Sequence, residues 1–115
     1  MRVSGTDATG SNYYYVRASW TYAGVVSAAY GNPDNNWQVP ILVDTGVSGA
    51  VFDVHNPQQS LPTTYTAQGT DSRNAGGFLI GGGKHDVSTA YDGFTLYSAQ
   101  TISSFTLKVY GYNNG

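Results

Sequence analysis

Residues 12–22 read NYYYVRASWTY, and how this stretch is taken decides the fold. It lacks the i, i+3, i+4, i+7 apolar spacing of an amphipathic helix, whereas a strand sorts it cleanly, because successive strand side chains point to opposite faces. Tyr14, Val16, Ala18, Trp20 and Tyr22 then share one face, and Tyr13, Tyr15, Arg17, Ser19 and Thr21 share the other. The first set is the more apolar, so it is the expected core face, with Tyr13 and Tyr15 turned outward.

The same period of two recurs along the chain. In WQVPILV (37–43) Trp37, Val39, Ile41 and Val43 alternate with Gln38, Pro40 and Leu42, and Pro40 places that strand at an edge or bulge, since proline cannot donate to a ladder. Further on, Ala50, Phe52 and Val54 are expected inward against Val51, Asp53 and His55. Near the end Phe105, Leu107 and Val109 are expected inward against Thr106, Lys108, Tyr110 and Tyr112. Shorter candidates lie at 2–4, 25–30, 62–67, 77–80 and 93–97, and Gly, Asn, Asp and Pro cluster between them as turn chemistry demands. The expectation is a single all-β domain over 1–115, with about eight or nine strands in an antiparallel β-sandwich of jelly-roll type and no substantial helix.

Composition narrows the function. Of the 115 residues only 10% are charged, against roughly 25% in ordinary domains, while Gly (15) and Tyr (10) are abundant. A net charge of −2 with five dispersed basic residues offers no footprint for a phosphate backbone, so nucleic acid is rejected as a partner. The absence of cysteine excludes disulfides, thiol nucleophiles and cysteine-held zinc. No stretch resembles a signal peptide or reaches the roughly 18 apolar residues of a membrane helix, so membrane insertion is not expected. Such a composition suits a protein assembled in a cell to work outside it, as virion proteins are.

One stretch suggests chemistry. ILVDTGVSGAVF (41–52) resembles the catalytic loop of retroviral-type aspartic proteases, which would make Asp44 one half of a homodimeric carboxylate pair. Against this, Val47 stands where that family has a small residue, the chain before Asp44 is far longer than in those enzymes, and no helix is visible after FLIGGG (78–83). Asp-Thr-Gly is also ordinary turn chemistry between strands. Asp44 is therefore read as a turn cap in a loop through Gly49, with the protease as an alternative and no catalytic residue expected. His55 and His85 lack the ligand companions of a metal site, so they are read as hydrogen-bonded structural residues, and no metal or cofactor is expected. All seven acidic residues are Asp; Asp53, Asp71, Asp86 and Asp92 are read as turn residues rather than a glycosidase pair. Gly81-Gly82-Gly83-Lys84 is followed by His85, not by the Ser or Thr of a phosphate-binding loop; these glycines instead let neighbouring backbones approach closely. Tyr13, Tyr15, Tyr110 and Tyr112, taken as outward rings, are the candidate ligand or interface residues.

The order of motifs carries a resemblance. AVFDVHNP (50–57), TTYTAQG (63–69) and the run from Gly81 to Gly115, with Gly83-Lys84-His85, Tyr91-Asp92-Gly93-Phe94 and Tyr110-Gly111-Tyr112, resemble a β-sandwich domain of tailed-bacteriophage virion surface proteins. MRVSGTDATGSNYYYVR (1–17) resembles its early strands. The resemblance implies a non-enzymatic capsid decoration (cement) or tail-fibre module, a homotrimer partnered by virion proteins, located in the virion after assembly in the host cytoplasm. Receptor binding through a host surface glycan is the alternative it implies. Such domains usually carry a further segment before the RVSG element, so the chain is expected to be either a minimal decoration module or part of a longer parent.

Overall fold

The computed structural model describes residues 1–38, 48–72, 77–96 and 104–111. Among them there is no helix and there are seven strands, all paired antiparallel. β1 (Arg2–Val3) and β2 (Thr6–Asp7) form a small hairpin whose turn residues, Ser4 and Gly5, both have positive φ (49° and 79°), the conformation that matches the twist of a tight hairpin. β3 (Tyr13–Thr21), β4 (Val26–Asp34), β5 (Ser48–His55), β6 (Thr63–Asp71) and β7 (Gly77–His85) form a five-stranded sheet in the order β4-β3-β7-β6-β5. It is a β5-β6-β7 meander extended by the β3-β4 hairpin, with β4 and β5 as its edges.

The strand count falls short of the eight or nine expected. Of the candidate at 93–97, Gly93 makes only an isolated bridge to Arg2. Among the described residues, 104–111 pair with no strand and are exposed throughout, so the expectation that Phe105, Leu107 and Val109 point inward is corrected: they are 53%, 44% and 69% exposed. Alternation marks a segment able to be a strand, but a strand exists only where another backbone pairs with it. The 37–43 candidate lies mostly outside the described residues, as does the Asp44 loop.

A second correction concerns the sheet's facing. In β3 the buried residues are Tyr13 and Tyr15 (3% and 7% exposed), while Val16 is 62% and Trp20 is 40% exposed. The strand was assigned correctly but its two sides were exchanged. Registry supplies the reason. Tyr15 pairs with Gly31 on one side and Gly83 on the other, and Gly83 also pairs with Tyr65 of β6. The inner row is therefore Gly31, Tyr15, Gly83, Tyr65 and Val54, in which glycines leave room for two large rings. A Cβ on Gly31 would stand 2.3 Å from the Tyr15 ring, and one on Gly83 would stand 2.9 Å from the Tyr65 ring.

β6 shows the same facing most plainly, with Thr63, Tyr65, Ala67, Gly69 and Asp71 buried and the residues between them exposed. Ala50, Phe52 and Val54 of β5 lie opposite Gly69, Ala67 and Tyr65, inward as expected. Phe52, Val54 and Trp37 pack against the core formed by Tyr15, Tyr65 and Ala67. Residues 86–96 run across the end of this inner face. Tyr91 is buried there and Phe94 meets Phe52 edge to face, with ring centroids 5.8 Å apart. The β1-β2 hairpin is tied to that segment by Arg2 N–H to Gly93 O (2.8 Å) and Ser4 N–H to Asp92 Oδ2 (2.9 Å).

Candidate functional site

Two clusters of chemistry-bearing side chains stand out, one on each face. On the inner face, Tyr13, His85, Tyr91 and Trp37 meet at one end of β3 and β7. The Tyr13 and His85 rings are 4.2 Å apart, and Trp37 stands edge-on to Tyr13 at 5.5 Å. The Trp37 indole donates to Lys84 O (3.0 Å), and Tyr91 Oη lies 3.1 Å from His85 Nδ1. The Tyr13 hydroxyl donates to Ala8 O (2.9 Å) and accepts from the Met1 amino group (3.1 Å). Burial, aided by the nearby amino terminus and opposed by Asp86, holds the His85 pKa below its ordinary value. Burial likewise pushes Tyr65 up to about 12, with Tyr15 adding to the rise and Arg17 opposing it, and its hydroxyl donates to Gln38 O (3.0 Å). Tyr13, Tyr65, His85 and Tyr91 are sealed from solvent and serve the packing.

The outer face is open and divided. Its β4-β3-β7 half presents the rows Val26-Trp20-Phe78, Ala28-Ala18-Ile80 and Tyr30-Val16-Gly82. Its β6-β5 half continues those rows with Thr70-Gly49, Gln68-Val51 and Thr66-Asp53. The first half is thus a contiguous apolar surface, with Val16, Val26 and Tyr30 more than half exposed. Trp20 and Phe78 lie with ring centroids 6.0 Å apart.

At one end of that half is a shallow groove of about 380 Å³, lined by Tyr14, Val16, Tyr30, Asn32, Gly82 and Lys84 among others. Gly82 makes its floor by offering no side chain between Val16 and Thr66. Tyr14 and Tyr30 flank it from neighbouring strands. The Lys84 ammonium stands 4.9 Å over the Tyr14 ring and pairs with Asp86 at 2.9 Å. An aromatic flank beside an amide and an ammonium can stack on a flat apolar or sugar-like surface and orient it. The lining contains no carboxylate or imidazole to move a proton.

The expected site residues are not gathered together. Tyr13 and Tyr15, expected outward, lie on the inner face: Tyr15 sits between Gly31 and Gly83, which leave room for its ring, while Tyr13 packs against His85 and Trp37. Tyr110 is 79% exposed, at the end of the unpaired segment, while Asp44 and Tyr112 lie outside the described residues. His55 is exposed on β5. Asp53 faces outward while Asp71 is buried on the inner side, so those two carboxylates do not meet. Among the described residues no three His or Asp side chains come together as a metal site. Tyr14, Tyr30, Gly82 and Lys84 were missed. The glycine triplet was their signal, since three small residues in a central strand demand large neighbours on one side and leave a hollow on the other.

Comparison with known protein families, with curated proteins and with solved structures gives no match, and none of the three links the chain to bacteriophage surface domains.

Proposed function

We propose that the chain is a non-enzymatic virion structural protein of a bacteriophage, a capsid decoration or tail-fibre module that works by assembly with copies of itself and with neighbouring virion proteins. The observation carrying this is the apolar β4-β3-β7 outer face. Among the described residues Lys84 is the one charged side chain in that half, and contiguous apolar surface of this kind marks an interaction site. In this role the five-stranded sheet is one layer of a jelly-roll-like β-sandwich, and a neighbouring subunit of a homotrimer covers its outer side.

Sedimentation of the wild type and of Ile80→Lys tests the self-association. The wild type is expected to be trimeric at micromolar concentration. The variant should keep its circular dichroism while its association weakens about tenfold or more, roughly 1.4 kcal/mol. A wild type that stays monomeric at high concentration and adds to neither capsid nor tail in a reconstructed particle would overturn the proposal.

The groove favours a second reading, a host surface glycan held against Tyr14 and Tyr30. A glycan array with Tyr30→Ala as control decides it: binding lost in the variant supports it, and no binding by the wild type at high micromolar concentration removes it.

A further inference from the structure

We infer that the outer edge of β4 is a two-fold contact, pairing antiparallel with the β4 edge of a second copy of the chain. Among the described residues no strand lies beyond β4, and Val26, Ser27, Ala28 and Tyr30 are exposed along it. In an antiparallel edge strand the N–H and C=O groups of alternate residues point away from the sheet, forming a row that another strand can pair with. Soluble proteins guard such a row with charged side chains, proline or a bulge. Residues 26–32 read VSAAYGN and hold no charge and no proline. Their pairing with β3 runs unbroken over 26–31, since the register shift lies past that stretch, between Tyr13 and Tyr15. The other edge, β5, carries Asp53 and His55.

The occupant is a copy of the same strand because this edge is complementary to itself. Turned about a two-fold axis at Ala28, each Val26 lies opposite the other copy's Tyr30, and Ala28 lies opposite Ala28. All three are on the outer face, where a β-branched residue across from an aromatic ring is a favourable cross-strand pair. On the inner side Ser27 lies opposite Ala29, and both are small enough to meet without moving a backbone. No like charges are set against one another. The apolar rows of the outer face then run on from one copy into the next. Phe78-Trp20-Val26 continues into the other copy's Tyr30-Val16-Gly82, and Ile80-Ala18-Ala28 continues into Ala28-Ala18-Ile80.

This inference rests on the proposed self-assembly and specifies a second contact within it. The outer face joins copies into a trimer, and β4 joins trimers in pairs, because a three-fold axis and a two-fold axis across it form a closed assembly.

Because the chain has no cysteine, engineered thiols report the register without background. Residues directly opposite in an antiparallel pair stand about 4.5–5.5 Å apart at Cα, inside the roughly 4.4–6.8 Å that a disulfide spans. Two copies of position 26, or two of position 30, would stand about 13 Å apart, as 26 and 30 do within one chain, and such pairs cannot close. Val26→Cys protein is mixed with a size-tagged Tyr30→Cys protein under mild oxidation, and the mixed disulfide is measured on a non-reducing gel. The expected result is a tagged-plus-untagged heterodimer roughly tenfold or more above the disulfide dimer of either variant alone, whose thiols are out of reach. Ala28→Cys, on the axis, should cross-link with itself. Thiols that stay free would overturn the inference, and so would Val26→Cys joining itself as readily as it joins Tyr30→Cys, which would put the contact in another register. Failure here is separable from failure of the assembly proposal. If Ile80→Lys weakens association but no 26–30 cross-link forms, the outer-face contact stands and the edge contact falls. If the cross-link forms and Ile80→Lys changes nothing, the edge contact stands and the outer-face contact falls.

Discussion

Gly83 carries more of the fold than any other single position. A Cβ there would stand 2.0 Å from the Tyr14 carbonyl oxygen as well as against the Tyr65 ring, and the backbone contact cannot rotate away. Gly83→Ala should therefore destabilise the domain by about 1–3 kcal/mol, the range of overpacking in a filled core, measured as a lower urea midpoint at unchanged slope. His85 gives a pH dependence. Its pKa is depressed in the fold below the ordinary 6.5, so between those two values the unfolded chain binds the proton that the folded one refuses. The stability linked to it is fully present above about pH 6.5 and is lost as the pH falls from there through the folded-state value. Urea midpoints taken from pH 8 to pH 5 should decline for the wild type and flatten for His85→Gln; equal slopes for both would exclude His85 as the source.

Among the elements, strand existence was more legible than strand facing. β3 is announced by NYYYVRASWTY, but both of its sides are rich in rings, and a hydrophobic pattern distinguishes sides only when one of them is polar. What settled the facing was the glycine at 83 in another strand, visible only once register pairs it with Tyr15 and Tyr65. In β5 the contrast of Ala50, Phe52 and Val54 with Asp53 and His55 was enough, and its facing was read correctly. β6 was the least legible, because Thr63 and Thr64 are the same residue with opposite burial. Residues 104–111 were legible as a strand sequence but not as an unpaired one, since the partner is not encoded in the segment itself. Native-state hydrogen exchange should find the slowest amides in β3, β6 and β7, which are paired on both sides. The amides of 104–111, which are exposed and outside the described strands, should exchange fast.

At the scale of the molecule, low charge and an apolar half-face set the solvent dependence of association. Coulombic screening has little to act on where one lysine is the charged group of the surface, so raising NaCl from 50 to 500 mM should leave the association constant within about twofold. Sulfate, excluded from apolar surface, should strengthen it. A steep loss of association with NaCl, measured by sedimentation, would move the interface to the charged residues around Arg2 and Asp7, which pair at 3.0 Å on the hairpin.

The glycine triplet in β7 also makes the sheet an optical window. Between the groove outside and the aromatic rings inside, the wall is a single polypeptide backbone: Gly82 is the groove floor, Gly83 is the register partner of Tyr65, and the Tyr65 and Trp37 ring centroids are 4.6 Å apart. Anything seated in the groove presses on that wall, and the indole behind it sits where the displacement arrives. In a Trp20→Phe background, which leaves Trp37 as the sole tryptophan of the two, filling the groove should change the emission of a side chain that the occupant never touches.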